Sequence, residues 1–118
     1  MPEPRDPKLF LQDILDSASD ISAFIRGMDF DKFMADKRTR LAVTRGLEVI
    51  GEAVKNLPEG LRARHPEVNW HQAMAMRDRL IHAYFGASYR IIWDTAAHDL
   101  PRMEQQVKSI LEELEMEP

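Results

Sequence analysis

Three features of the chain predict an all-α fold, a four- to five-helix up-and-down bundle. Apolar residues recur at intervals of three and four through most of its length, the spacing that lines one face of a helix. No run alternates apolar and polar residues as a half-buried strand requires. Most prolines and glycines fall between the periodic stretches, where they punctuate the turns of such a bundle. With 118 residues the chain reads as one domain spanning 1–118, long enough to bury roughly two-thirds of its unfolded surface.

Residues 1–6 read as a loose N-terminal arm. A first helix is expected from Pro7 to about Met28. Asp6 suits its N-cap and Pro7 its first helical position. Phe10, Ile14, Ile21, Ile25 and Met28 form its stripe, with Leu11 sharing the first turn. Asp29 caps one short turn whose apolar side is Phe30, Phe33 and Met34, a plug between longer helices. Asp36 caps a second long helix over Lys37–Leu57. There Val43, Leu47, Ile50, Val54 and Leu57 make a heptad-like seam, suited to a neighbouring helix within the chain or across a dimer. Gly51 in mid-helix costs about 1 kcal/mol relative to alanine, and a glycine so placed lets another backbone come close. Pro58 stops this helix.

The following stretch to Asn69 is the longest irregular region, with room for one short turn at Leu61. Asn69 caps a third helix from Trp70 to about Tyr84, striped by Trp70, Ala73, Met76, Leu80 and Ala83 and ended by Gly86. Ser88 caps a fourth, to about His98, with Ile92, Trp93, Ala96 and Leu100 inward. Asp99 and Pro101 restart the chain into a last helix with Met103, Val107, Ile110, Leu111 and Leu114 inward. The acidic residues in its final turns oppose the helix dipole, so its end is expected to fray.

Composition narrows the function classes. Cysteine is absent, which excludes disulfides, thiolate catalysis and cysteine-based zinc sites. The opening MPEPRDPKLF has no apolar run and is no secretory signal, and no stretch approaches the roughly 20 apolar residues of a membrane helix; a cytoplasmic protein is expected. The net charge of −4 argues mildly against a nucleic-acid binder. Its distribution matters more: acids crowd both ends, while Lys37, Arg38, Arg40, Arg45, Arg62, Arg64, Arg77, Arg79 and Arg90 gather between them. Folding can collect such residues into a local positive surface.

Several chemistries lack their motifs. There is no glycine-rich phosphate loop and no Gly-x-Ser-x-Gly elbow. His65, His71, His82 and His98 show no metal-ligand spacing. What stands out is MRDRLIHAYFG, Met76–Gly86, which packs Arg77, Asp78, Arg79, His82 and Tyr84 into two or three turns. Cleaving RNA without a metal requires deprotonating a 2′-hydroxyl, protonating the leaving oxygen and stabilising the phosphorane charge. Histidine titrates in the right range for the first two tasks; arginine, always cationic and forked, suits the third. Asp78 would orient His82. The same residues equally suit a plain surface, with Arg77 in a salt bridge, His82 on a backbone carbonyl and Tyr84 at the core edge, and spacing alone favours that plainer reading. Geometry adds a condition. On one regular helix Arg77 and His82 point about 140° apart, so they converge only if the helix breaks near Gly86 or a twofold partner supplies the second group. The Glu48–Glu52 pair is another source of a carboxylate, or else a solvated face.

The runs FLQDILDSASDISAFIRGM, LEVIGEAVKNLPEGLRARHPEVNW, MRDRLIHAYFG and IIWDTAAHDLPRMEQQV together resemble the HepT-like branch of the HEPN superfamily. The family hallmark is Arg, a polar residue, three further residues, His, one residue, Tyr, and Arg77, Asp78, His82 and Tyr84 match it in place. Many relatives carry Asn where this chain has Asp78. The resemblance implies the toxin of a type VII toxin–antitoxin pair, a metal-independent endoribonuclease that needs no cofactor. It implies Arg77 and His82 as catalytic residues, with Asp78 supporting, and a homodimer whose two motifs form one composite cleft. It also implies neutralisation by an MntA-like minimal nucleotidyltransferase that transfers AMP to Tyr84. Arg79 and Arg45 are secondary candidates for contact with the RNA backbone. Two other readings stand beside this one: a non-catalytic module that binds a nucleotide or its nucleotidyltransferase, and a helical scaffold that dimerises through the Val43–Val54 seam.

Overall fold

The computed structural model describes residues 5–81 and 88–117. Among them every regular element is helical: α1 (Pro7–Phe24), α2 (Phe30–Ala35), α3 (Lys37–Asn56), α4 (Glu59–Arg64), α5 (Trp70–Ile81), α6 (Tyr89–Asp94), a π-helical turn (Thr95–Asp99) and α7 (Leu100–Met116). The all-α bundle expected from periodicity is the fold observed. No helix of the described residues is long and apolar enough to cross a membrane.

The helix starts follow from side-chain caps. Asp6, Asp29 and Asp36 accept from the backbone N–H groups of Lys8 (2.9 Å), Lys32 (2.9 Å) and Thr39 (3.2 Å), and Ser88 accepts from Ile91 at 3.2 Å. Asn69 does the same for Gln72 at 3.0 Å. Each satisfies a donor that the first turn leaves without a partner. At Asp36 the Thr39 backbone N–H and then its hydroxyl are the main groups holding the carboxyl below its ordinary range.

Three features differ from expectation. α1 ends at Phe24 instead of Met28, because the chain turns through Gly27 at φ 76°, a left-handed conformation that glycine adopts without steric cost. In α2 the expected apolar side shrinks. Phe33 is fully buried against Trp93, with ring centroids 5.2 Å apart, while Met34 is exposed; a helix of six residues cannot turn all three to the core. Finally, the chain does not restart at Asp99. Asp94, Thr95, Asp99 and Leu100 all keep right-handed helical torsions, and the Leu100 N–H bonds Thr95 O, five residues back. The helix therefore continues from α6 to α7 through a widened turn. Proline lacks an N–H, and its ring presses on the carbonyl four residues earlier; the π turn opens space for Pro101 while the helix continues.

α3 is the central element. α1 and α5 both pack along it, and α7 closes on α1. Its seam residues Val43, Leu47, Ile50, Val54 and Leu57 are at most 4 % exposed, which sets the seam inside the chain's own core and corrects the scaffold reading. No surface remains there for a second copy. Gly51 supplies the close approach that its position foretold. A Cβ at this site would stand 2.2 Å from Arg77 Cβ and 2.7 Å from Ala73 O, so α5 lies directly on the bare backbone of α3. Trp70 anchors the start of α5, its indole N–H shared between Arg62 O (3.2 Å) and His65 O (3.0 Å), which ties the α4 end down while keeping a buried donor satisfied.

Candidate active site

Arg77 rises from the side of α5 that crosses Gly51, so its stem is fixed against α3 and only its head is adjustable. The side chain is 21 % exposed. Nη2 stands 2.6 Å from Glu52 Oε2 on α3, and Nη1 donates to Asp78 Oδ1 at 3.2 Å. The Arg77 Nε is buried and has no hydrogen-bond partner among the described residues. Glu52 is itself held: Asn56 Nδ2, one turn further along α3, donates to Glu52 Oε1 at 3.4 Å and to the Glu52 carbonyl at 2.9 Å.

Arg77, Glu52 and Asn56 form part of the wall of a groove of about 390 Å³ between α1, α3 and α5, which also takes in Arg5, Asp13, Arg45, Glu48 and Ile81. Every arginine along it faces a carboxylate. Arg45 pairs with Glu48 at 3.1 Å, and Arg5 pairs with Asp13 at 2.6 Å while its guanidinium lies 4.8 Å from the centre of the Phe10 ring. The fold thus collects cations on one side, but with matching anions beside them, and the groove is close to neutral. A phosphate at Arg45 or Arg5 would take over bonds that carboxylates now hold, a charge-assisted exchange in which arginine's planar fork keeps its geometry.

The candidates of the sequence divide accordingly. Arg77 and Arg45 come to one groove, and Asp78 adjoins it through its bond to Arg77. Arg79 is exposed and, two residues on, projects about 200° from Arg77 around α5, away from it. His82 and Tyr84 lie outside the described residues, as do Ala83 and Gly86. Other arginines serve packing: Arg40 bonds the Met34 carbonyl and lies over the Tyr89 ring, Arg90 lies over Phe30, and Arg62 Nη1 meets Met74 Sδ at 3.4 Å. A second cavity of about 560 Å³, bounded by α3, α5, the π turn and α7, includes His98 and Arg102 but neither Arg77 nor Asp78.

Sequence reasoning raises Glu52 only within the Glu48–Glu52 pair, as a source of a carboxylate or a solvated face, without pairing it to Arg77, and does not assign Asn56. Glu52 offered one signal: it follows the mid-helix glycine where a neighbouring helix must come closest, so a carboxylate there lies within reach of that neighbour's side chains. Asn56 offered none beyond its spacing of four from Glu52.

Comparison with known proteins gives the family of the chain. Residues 14–110 match the family model described as "Ribonuclease HepT-like". A Methanocaldococcus jannaschii protein named "Putative RNase MJ0127" is 46 % identical over 113 residues, covering 96 % of this chain and 93 % of that protein. "Putative RNase TTE0752" of Caldanaerobacter subterraneus is 44 % identical over 108 residues, with 92 % and 96 % covered. "Probable ribonuclease HepT" of Thermococcus cleftensis is 42 % identical over 106 residues, with 90 % and 96 % covered. No solved structure matches the chain. An all-α bundle, a motif arginine set on the central helix pair and similarity over nearly the full length converge on one conclusion: the chain belongs to the HepT-like ribonuclease family.

Proposed function

We propose that the chain is a metal-independent endoribonuclease, the toxin of a type VII toxin–antitoxin pair, working as a homodimer whose two motifs share one cleft. The family match over residues 14–110, which spans the whole motif, carries this reading. His82 takes the 2′-hydroxyl proton; the 2′-oxygen then attacks the adjacent phosphorus, and a proton passes to the departing 5′-oxygen. The products are a 2′,3′-cyclic phosphate and a 5′-hydroxyl. Arg77 binds the non-bridging oxygens and offsets the charge that grows on them. Asp78 supports the pair, and Arg45 contacts the RNA backbone along the groove. A twofold dimer would meet the geometric condition of the motif by bringing the histidine of one copy to the arginine of the other.

Tyr84 supplies the control. Its phenol oxygen attacks the α-phosphorus of ATP held by an MntA-like nucleotidyltransferase; pyrophosphate leaves, the phenolic proton is lost, and AMP remains on the oxygen. The added negative charge and bulk in the motif oppose the entry of RNA. The motif position and the family support this reading of Tyr84.

The test is incubation of purified protein with RNA in the presence of a chelator, alone and after treatment with the nucleotidyltransferase and ATP. The protein alone is expected to cut RNA to fragments with cyclic-phosphate ends. Treated protein is expected to gain AMP on Tyr84 and to lose activity. No cleavage by the pure dimer, together with a tight complex with the nucleotidyltransferase, would favour the non-catalytic binding module instead.

A further inference from the structure

We propose that Glu52 is a positioning residue for RNA cleavage: from α3 it fixes where on the groove wall the Arg77 guanidinium sits. The inference rests on the reading of Arg77 as the phosphate ligand. Its basis is a chain of contacts that runs between two helices. Asn56 holds Glu52 Oε1 at 3.4 Å, and Glu52 Oε2 stands 2.6 Å from Arg77 Nη2. Below them Gly51 brings the Arg77 stem onto the α3 backbone. Stem and head of the arginine are therefore both referred to α3, the element on which the rest of the bundle packs. Asp78 cannot do this alone, because it neighbours Arg77 on the same helix, is 65 % exposed and reaches Nη1 only at 3.2 Å.

Donor accounting shows that the arrangement leaves the arginine usable. A guanidinium has five N–H donors. The one on Nε is buried, beyond the reach of a substrate. Asp78 takes one hydrogen of Nη1, and Glu52 stands against Nη2 as an ion pair that at most one hydrogen of Nη2 faces. One hydrogen on each terminal nitrogen remains among the described contacts, and a phosphodiester's two non-bridging oxygens match such a pair. Both Glu52 carboxylate oxygens have partners, so it acts through Arg77 and not on the RNA.

RNA cleavage over a range of RNA concentrations and thermal unfolding of five proteins test this: wild type, Glu52→Gln, Arg77→Lys, the double variant and Arg77→Ala. Glu52→Gln keeps the shape but weakens the charge-assisted contact. It should lower kcat about ten- to a hundredfold, the scale set by displacing a reacting group by about an ångström, with KM within about threefold and Tm nearly unchanged. In the Arg77→Lys background, whose reduced rate remains measurable, the same change should have little further effect, since the contact it weakens is already gone. Wild-type kcat in Glu52→Gln, or a loss that multiplies fully onto Arg77→Lys, would overturn the assignment while leaving Arg77 in place. A loss that follows Tm would overturn it in favour of a mere helix tie. Wild-type cleavage by Arg77→Lys and by Arg77→Ala would overturn the role of Arg77 itself, and this proposal with it.

Discussion

Arg77 is already engaged before any RNA arrives, and its partners decide how the groove responds to charge. Because Glu48 and Asp13 offset Arg45 and Arg5, RNA binding there depends on exchange of partners and not on a bare positive patch, while Arg77 keeps Glu52 and offers its remaining donors. Arg45 is the most accessible of these cations, with 74 % of its side chain exposed. Replacing it with alanine should weaken RNA binding about two- to fivefold and reduce the salt dependence by roughly one phosphate contact, with kcat unchanged; fluorescence anisotropy across a salt series measures both. Arg79→Ala should change binding less, since Arg79 projects away from the groove. At this scale the sequence was informative where a motif is local. Arg77 and Asp78 are adjacent in the chain, and their spacing from His82 and Tyr84 is written in it. The partnership of Glu52 with Arg77 joins two helices 25 positions apart, and only the crossing at Gly51 makes it.

The elements explain why that crossing exists. Gly51→Ala gains about 1 kcal/mol of helix propensity, yet its methyl group would collide with Arg77 Cβ and Ala73 O. The expected outcome is a net loss of about 1–3 kcal/mol in urea unfolding, accompanied by slower RNA cleavage as α5 shifts. Gly60→Ala is the control. A Cβ there meets nothing within 4 Å, so the α4 substitution should leave stability unchanged or raise it by up to about 1 kcal/mol. The Asp36 cap makes a pH prediction. Its folded carboxyl titrates below the ordinary range because Thr39 donates to the ionised form. The stability it contributes is therefore present above about pH 4 and lost as the pH falls through the lowered value; Asp36→Asn should flatten that part of the acid unfolding curve. Caps, stripes and the mid-helix glycine were legible because each depends on residues within a turn or two. The continuity of α6 through the π turn into α7 was not, since Pro101 reads locally as a break. Only packing of Ile92, Trp93, Ala96 and Leu100 into one core keeps the helix going past it.

At the scale of the molecule, the all-α class was readable from periodicity alone, and the destination of the α3 seam was not. A heptad-like run serves a neighbour in the same chain or in another, and here α1 and α5 take it up. Val54→Asp should consequently unfold the protomer before it changes any assembly, a point that circular dichroism decides. The proposed dimer must use another surface. Light scattering on the wild type should give twice the chain mass at micromolar concentration, and a monomer retaining full RNA cleavage would remove the composite cleft from the account. The most direct test of the central claim is the rate of RNA cleavage, in chelator, by wild type and by a folded His82→Ala variant. The account predicts cleavage by the wild type and a loss of at least about a hundredfold in the variant; equal rates would contradict it.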